Sequence, residues 1–390
     1  MSKLLLSCDY YLYSHNGKFY FRDKVAAGFY DRYLRVFEEL RIVNRVIEEP
    51  ILNENRYLID DPRIEIYPVP IFHGPYQYLK NYFKVGRSLE KACEGCDAAV
   101  LRLPCTAAQR LGNSIIKKNI PYAVEIVFDA YDGAKTAEKF IDKILWHLID
   151  RKMRFICNHA NGVSCVTQFY LQNRYFSLRQ NNFTSYYSSA GLPKTFFTGG
   201  RKYPQGKNMT IGHVDLQIGL HSRKGTDEVL KAVSLLKRKG IIVNISFAGD
   251  DWDNNAQKIK NYACKLGIGD QVSFPGYLTM SQMSDFLESV DLFVFPTKAE
   301  GLPRSVIEAM SKGLPVVTTP VSGNPELIND HFLVNYEDVD TLADRIEELI
   351  TNKDSYEGAS YINFQKSLEY EASVLEKRRD SFYKKLKSII

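Results

Sequence analysis

The chain has 390 residues, of which 45% are apolar and 25% are charged, and this composition excludes a disordered or fibrous protein. Its length predicts two or three domains. The net charge of +5 is uneven, because residues 1–190 carry 26 Lys and Arg against 20 Asp and Glu, a charge of +6, and residues 191–390 carry −1. The basic first half favours contact with an anionic membrane face or an anionic acceptor. Ordinary variation in surface charge explains the excess of basic residues equally well.

The chain has seven cysteines, an odd number, and this does not indicate a disulfide framework. Cys93 and Cys96 form one CxxC, but the second pair that structural zinc requires is missing. The apolar segment after Lys3 is too short for a signal peptide, and no run of 18 apolar residues predicts a membrane span. We therefore expect a cytoplasmic protein, either free or peripheral on the inner face of the membrane.

The first half alternates short apolar runs with helical patterns, which is typical of a doubly wound α/β domain. A helix is predicted near residues 25–40, and strands are predicted at 3–7, 41–47, 63–69, 97–104, 121–128 and 161–167. After the first strand, residues 14–17 read as a shortened glycine-rich loop. There Asn16 and Gly17 are assigned to the acceptor side, because glycine lets a ligand approach the backbone closely.

Residues 74–91 interleave aromatic side chains with Lys80, Lys84 and Arg87. This pattern suits a membrane interface, where a lipid-linked acceptor would lie. A helix packed on the sheet explains the pattern equally well. Nucleic-acid binding is disfavoured because a dense basic stripe is missing.

The second half shows the same alternation of short apolar runs with helical patterns. Residues 185–206 are rich in Gly, Pro and Ser, and they predict a linker, placed at 191–208, between domains of residues 1–190 and 209–369. The last segment, 370–390, predicts a charged amphipathic helix. Strands are predicted at 209–214, 241–249, 271–276, 291–296 and 314–319.

Two features define this second domain further. Its strands are apolar throughout, as in a parallel sheet that is covered on both faces. Thr279 and Gln282 predict a capping box at the start of a helix. No G-x-G-x-x-G follows a strand, which argues against a nicotinamide or flavin dehydrogenase.

The stretch DLFVFPTKAEGLPRSVIEAMSKGLPVVTTPVSGNPELI (291–328) places Glu300 at a strand end and Glu308 one turn into the next helix. The amides of that helix N-terminus point into the same space and suit a diphosphate. Carboxylates accept strong hydrogen bonds from sugar or ribose hydroxyls. The pair therefore predicts a site for a polyhydroxylated, phosphate-bearing ligand.

This stretch resembles the retaining GT-B glycosyltransferases of group 1, or family 4, whose signature is E-x7-E. The resemblance extends to HSRKGTDEVLKA (221–232), FAGD (247–250) and VSFPGYL (272–278). It is strong over 209–330 and weak in the first half. It implies two doubly wound Rossmann-like domains that face each other across a cleft, with the last helix crossing back to the first domain.

The same resemblance implies a reaction. A sugar would pass from a nucleotide-diphosphate sugar, held by the second domain, to a hydroxyl of a growing glycan or lipid-linked acceptor, held by the first. The anomeric configuration would be retained. A capsule, O-antigen or other surface-polysaccharide pathway is the implied setting. Two alternatives stay open, namely a GT-B sugar epimerase or glycan synthase, and a catalytically silent GT-B binding subunit.

Roles in the donor site are also implied by the resemblance. Glu300 would contact the donor sugar, Glu308 the ribose, and Lys224 the diphosphate. The upstream Arg of the family is missing, because its position reads Gly212-His213, and Arg223 is the alternative cation. Further donor-binding residues are assigned at Gly225, Gly276, Tyr277, Gly301, Leu302, Pro303 and Ser305.

In the first domain, many relatives carry a His after the strand that is matched here by 121–128, and this chain has none there. Asp129 is assigned a catalytic role in its place, and Glu125 is interpreted either as its substitute or as a buried structural partner. Asp251-x-Asp253 is similar to the metal-binding D-x-D of the unrelated GT-A enzymes, but an ordinary loop is favoured. No metal and no other cofactor are expected.

Overall fold

The structure is a computed structural model that describes residues 2–8, 10–72, 74–137, 139–180, 182–206 and 208–390, with only the backbone of Val25 and Pro75. Lys207 of the predicted linker therefore lies outside the described residues. The chain forms two compact units. One comprises Met1–Tyr187 and Glu376–Ile390, and the other comprises Ser188–Leu375.

The first unit is built on a mainly parallel sheet. Its strands are β1 (Lys3–Ser7), β2 (Leu12–His15), β3 (Lys18–Phe21), β4 (Glu39–Glu48), β5 (Tyr57–Leu58), β6 (Ile64–Val69), β7 (Ala98–Leu103), β8 (Tyr122–Ile126), β9 (Gly162–Cys165) and β10 (Phe183–Tyr186). The strand order is β10-β9-β8-β7-β1-β4-β2-β3-β5, and β6 also pairs with β4.

Helices cover this sheet, which explains why β1 and β7 are apolar and buried along nearly their whole length. They are α1 (Lys24–Leu34), α2 (Gly74–Lys80), α3 (Tyr82–Ala92), α4 (Thr106–Lys117), α5 (Ala130–Thr136), α6 (Phe140–His159) and α7 (Tyr170–Arg174). The helix predicted near 25–40 is shorter than expected, because the chain has already entered β4 at Glu39.

The predicted glycine-rich loop at residues 14–17 is instead a β-hairpin. β2 pairs with the continuation of β4, and β3 returns antiparallel to β2. Asn16 and Gly17 form its turn with φ of +49° and +75°, values that favour an Asn-Gly pair. The expectation of a loop was wrong, since it overlooked this turn signal.

The second unit holds a five-stranded, wholly parallel sheet in the order β13-β12-β11-β14-β15. Its strands are β11 (Thr210–Gln217), β12 (Asn244–Asp250), β13 (Val272–Gly276), β14 (Leu292–Phe295) and β15 (Val316–Thr318). Its helices are α8 (Thr226–Arg238), α9 (Asn255–Lys265), α10 (Met280–Ser289), α11 (Arg304–Ser311), α12 (Val339–Thr351) and α13 (Lys353–Ser367). The capping box of Thr279 and Gln282 is confirmed at the start of α10.

The final helix, α14 (Ala372–Lys387), belongs to the first unit from Glu376 onwards. Its Tyr383 is buried and its hydroxyl donates to Glu125 of β8. Residues 185 and 186, which the composition placed in a linker, form the end of β10. The last strand of the first unit was therefore missed, because its four residues carry no apolar alternation.

Candidate active site

The predicted donor-side residues converge at the carboxyl ends of the neighbouring parallel strands β11 and β14. The loop after β11 carries Arg223, Lys224 and Gly225, and the loop after β14 carries Glu300. In open α/β sheets this edge is where ligands bind. The fold thus brings together two segments that are more than 70 positions apart in the sequence.

Close backbone contacts hold these two loops together. The backbone N–H of Lys298 donates to the carbonyl of Arg223 (2.8 Å), and Thr297 Oγ1 donates to the same carbonyl (3.1 Å). Gly225 begins α8 with φ of +84°, and a Cβ at that position would overlap the carbonyl oxygen of Pro296. Glycine is therefore required here both by conformation and by space.

Lys224 and Glu300 form a direct ion pair between Nζ and Oε1. The ammonium also lies 5.2 Å from the ring centroid of Phe295, the last residue of β14. Both side chains are largely shielded, with 25% and 14% exposed. The lysine and the carboxylate thus occupy one small polar region that remains open to solvent.

Glu308 lies in the second turn of α11 and is buried, with 6% exposed. Its Oε1 accepts from Arg304 Nε at 2.6 Å within the same helix. Burial raises the pKa of Glu308 and outweighs the opposing effect of Arg304. Because Arg304 occupies only one of its oxygens, the buried carboxylate retains acceptor capacity for hydroxyl groups.

His213, at the position of the missing family Arg, is a buried residue of β11. Its ring is fully buried, lies near Phe247 and Phe295, and is held by Val294 O at 2.9 Å from Nδ1. Burial lowers the pKa of His213. Arg223 is exposed, so Lys224 is the partly buried cation of this loop.

The other donor-side residues surround the same sheet edge. Gly276 ends β13 with φ of +80°, and the side chain of Tyr277 is 65% exposed. Leu302 and Pro303 are buried beneath the turn, and Ser305 is half-buried in the first turn of α11.

Thr297 is a site residue that the sequence reasoning missed. Its Oγ1 lies 3.5 Å from Glu300 Oε1 and also contacts the carbonyls of Arg223 and Ala299. Ser322 was missed as well, although its Oγ donates to Gly301 O at 2.9 Å and so fixes the turn. The only sequence feature that could have identified Thr297 and Ser322 is their position after a buried parallel strand.

In the first unit, Asn16 and Gly17 lie at the exposed tip of the β2–β3 hairpin. Asn16 Nδ2 contacts His15 Nε2 at 3.0 Å, and a Cβ added to Gly17 would meet no atom within 4 Å. Neither residue lines the large cavity of this unit. The assignment of both residues to the acceptor side stays a prediction.

Asp129 caps α5 and is fully buried. Its carboxylate receives the backbone N–H of Tyr131 (3.0 Å) and the hydroxyl of Tyr175 (2.8 Å), and it pairs with Arg174 Nε (2.9 Å). This is the arrangement of a helix cap joined to a buried ion pair. This structural role accounts for a buried carboxylate at this position without any contact to a substrate.

Glu125 is a buried structural partner, one of the two interpretations left open by the sequence. It accepts from Tyr33 (3.1 Å), Tyr187 (2.9 Å) and Tyr383, and pairs with Arg102 (3.2 Å). Burial raises its pKa, but the Arg102 charge and the tyrosine hydroxyls outweigh that effect, so the pKa is lowered. The cluster ties α1, β7, β8 and α14 together.

Asp251 and Asp253 lie in the loop after β12. Asp251 Oδ1 accepts the backbone N–H of Ala256 (2.9 Å) at the start of α9, and Asp253 adopts a left-handed φ of +59°. Within the described residues, no group of three or more His, Cys, Asp or Glu side chains could hold a metal ion. Across the same part of the chain, no helix is long and apolar enough to cross a membrane.

Residues 219–366 match the family model described as Glycosyl transferases group 1. Among curated proteins, CapJ of Staphylococcus aureus is 23% identical over 376 residues, covering 91% of each chain. The putative colanic acid biosynthesis glycosyltransferase WcaL of Salmonella typhimurium is 28% identical over 139 residues, covering 33% of this chain and 34% of WcaL. Among solved structures, HepE of Anabaena in complex with UDP superposes with a TM-score of 0.68 at 15% identity, covering 100% of both chains.

Proposed function

We propose that this chain, which has the GT-B fold and whose residues 219–366 match the group 1 glycosyltransferase model, transfers a sugar with retention of configuration to a lipid-linked or glycan hydroxyl. The match to the family model supports the general activity, which is transfer of a sugar from a nucleotide-sugar donor. Retention, the class of acceptor and the roles of single residues are our proposal.

The observation that carries the proposal is the Lys224–Glu300 pair beside the N-terminus of α11. In the proposed complex the donor diphosphate competes with Glu300 for the ammonium of Lys224, because both are anions. Glu300 then accepts hydrogen bonds from hydroxyls of the transferred sugar, and Glu308 accepts them from the ribose.

Charge develops on the departing diphosphate as the glycosidic bond breaks. A cation fixed beside that group attracts the transition state more strongly than the ground state, and this difference accelerates the reaction. The Gly225–Pro296 contact holds Lys224 in position, so little reorganisation accompanies the step.

The setting we propose is surface-polysaccharide synthesis on the inner face of the membrane. WcaL, described as a putative colanic acid biosynthesis glycosyltransferase, supports this setting. HepE, crystallised with UDP, supports a uridine nucleotide as the first donor to test.

The test is calorimetric titration of UDP, GDP and ADP into the full chain and into Glu308→Ala. We expect at least one nucleotide to bind and the variant to bind it more weakly. Equal affinity in both proteins would remove Glu308 from the site. Nucleotide binding without turnover of any nucleotide sugar would instead favour a silent binding subunit.

A further inference from the structure

The first unit contains a cavity of about 650 Å³ that no predicted site residue lines. It lies past the carboxyl ends of β1 and β7, between α2, α3, α4 and α6. Cys8 and Cys105, which follow those two strands, form part of its floor. A volume of this size is typical of ligand pockets, and the strand ends are the expected side.

Three basic residues line this cavity, namely Arg45, Arg110 and Lys152. The Arg45 guanidinium donates to the carbonyl of Phe72 (3.1 Å) and lies over the ring of the same residue. Arg110 and Lys152 donate to neutral side chains. Arg110 Nη1 donates to Tyr82 Oη (2.7 Å), and Lys152 Nζ donates to Asn113 Oδ1. Within the described part of the chain, no ion pair joins Arg110 or Lys152 to a carboxylate, including Asp142, which also lines the cavity. Burial, and then the charge of Arg110, lower the pKa of Lys152.

Gly86 shows that the fold makes room for this guanidinium. It lies inside α3, where glycine costs about 1 kcal/mol relative to alanine. A Cβ at Gly86 would lie 2.9 Å from Arg110 Nη2. The glycine therefore lets the arginine lie flat across the helix and over the ring of Tyr82, 4.2 Å from its centroid.

The rest of the wall is largely apolar. On α6, Leu145, Trp146 and Ile149 face the cavity on the same side as Lys152. The neighbouring face of α6 carries large apolar side chains that remain exposed, namely Phe140 (78%), Ile141 (63%), Ile144 (43%) and Leu148 (57%). Exposed apolar surface of this kind marks an interaction site, and here it continues from the wall of the cavity.

We propose that this cavity binds the phosphate ester of a lipid-linked acceptor. Arg110 and Lys152 hold the phosphate by charge-assisted hydrogen bonds, and the apolar wall of α6 holds the first part of the lipid chain. This inference rests on the proposed function, because it names the acceptor class of that reaction. Of the aromatic residues in 74–91, Tyr78 and Tyr82 line the cavity.

The chain offers a direct optical probe. It contains two tryptophans, Trp146 in the cavity wall and Trp252, which is 59% exposed in the second unit. In the full chain carrying Trp252→Phe, fluorescence reports on the cavity alone. Decyl phosphate below its critical micelle concentration is the probe ligand, with decyl glucoside and glucose 6-phosphate as comparisons.

We expect decyl phosphate to change the tryptophan fluorescence in a saturable way. It should bind at least roughly tenfold more tightly than either comparison ligand, because only decyl phosphate has both a phosphate charge and an alkyl tail. Arg110→Gln and Lys152→Gln should each weaken it by roughly tenfold or more. Lys143→Gln, an exposed lysine of α6 outside the cavity, should change nothing. Equal affinity for glucose 6-phosphate, or unchanged binding by both cavity variants, would overturn the proposal.

Gly86→Ala keeps the test valid if a charge variant fails to fold. It adds a methyl group that displaces the Arg110 guanidinium, while alanine favours the helix. Folded Gly86→Ala protein with weakened decyl phosphate binding supports the site, and unaltered binding contradicts it. Calorimetry of nucleotide binding to the same variants tests the proposed function separately, because the donor residues lie in the other unit.

Discussion

Lys224 and Glu300 form an ion pair at the carboxyl edge of the second sheet, although 75 residues separate them in the sequence. Neither residue alone identifies the chemistry, since loop lysines and loop glutamates are common on protein surfaces. Their pairing, with Gly225 fixed against Pro296 behind them, places a cation beside one anionic partner, which the proposed donor diphosphate would displace.

Lys224→Ala is predicted to lower kcat by about a hundred- to thousandfold, by analogy with the loss of one oxyanion-hole donor. Donor affinity should fall less, because the attraction is strongest as the leaving group gains charge. Arg223→Ala is the comparison, since Arg223 is the alternative cation and its side chain is exposed. Steady-state kinetics of both variants test this, and near-normal turnover of Lys224→Ala would place the diphosphate elsewhere.

Glu308→Gln is predicted to weaken nucleotide binding while making the fold less sensitive to pH. Loss of a charged acceptor for the ribose should cost about 1.5–3 kcal/mol of binding free energy. Because burial raises the pKa of Glu308, its contribution to stability is present at low pH and is lost as pH rises through the folded-state pKa. Glu308→Gln lacks this dependence.

Two measurements check the Glu308 prediction. Calorimetry gives the nucleotide affinity of Glu308→Gln, and denaturant titrations at pH 4, 5.5 and 7 give its stability relative to the parent. We expect Glu308→Gln to gain stability relative to the parent as pH rises. A constant difference across the series would show that burial does not perturb this carboxylate.

Gly225→Ala should destabilise the second unit and displace Lys224, because its Cβ would overlap the carbonyl of Pro296. Gly240→Ala is the matched control. Gly240 follows the other end of α8 at a similar φ of +82°, and a Cβ there would meet no atom within 4 Å.

Both glycine variants carry the conformational penalty of positive φ, about 1–3 kcal/mol. Only Gly225→Ala adds the steric one. Guanidinium unfolding should therefore rank Gly225→Ala below Gly240→Ala, and only Gly225→Ala should lose turnover. Equal midpoints for the two variants would contradict the close approach of the loops.

Glu125→Gln is predicted to destabilise the first unit by about 3–5 kcal/mol, because it leaves the buried Arg102 charge without its partner. The lowered pKa of Glu125 means that its stabilising contribution is present at neutral pH and is lost as pH falls through the folded-state pKa.

The control for Glu125 is Glu376→Gln, since the Arg35–Glu376 pair of 3.6 Å is half-exposed and surface pairs contribute about 0–1 kcal/mol. Urea unfolding of both variants at pH 7 and pH 4 measures the difference. If the deficit of Glu125→Gln stays the same at pH 4, the carboxylate does not carry the charge of the cluster.

Turnover is predicted to survive EDTA, because Lys224 and the N-terminus of α11 supply the positive charge at the proposed diphosphate site. Asp251→Asn and Asp253→Asn should likewise leave kcat unchanged. Assays with EDTA, with and without added Mn²⁺, give the answer. Activity that stops with EDTA and returns with Mn²⁺ would make the two aspartates candidate metal ligands.

The sequence predicted the second unit well because its signals are local. Buried parallel strands appear as short apolar runs, and helix ends carry caps such as Thr279 and Gln282. The spacing of Glu300 and Glu308 spans one strand end, one turn and one helix start, so their placement on a common edge follows from neighbouring residues alone. For the same reason, the turn chemistry of Asn16-Gly17 was available and was overlooked.

Only the tertiary structure decided the pairing of Lys224 with Glu300, the burial of His213, and the partners of Asp129 and Glu125. Each depends on partners that lie far away in sequence, such as Arg174 for Asp129 and Tyr383 for Glu125. The cavity of Arg110 and Lys152 is of the same kind, because its walls come from helices that the sheet order brings together. The sequence does not distinguish a carboxylate that caps a helix from one that faces a ligand. The difference lies in the residues that surround it in space.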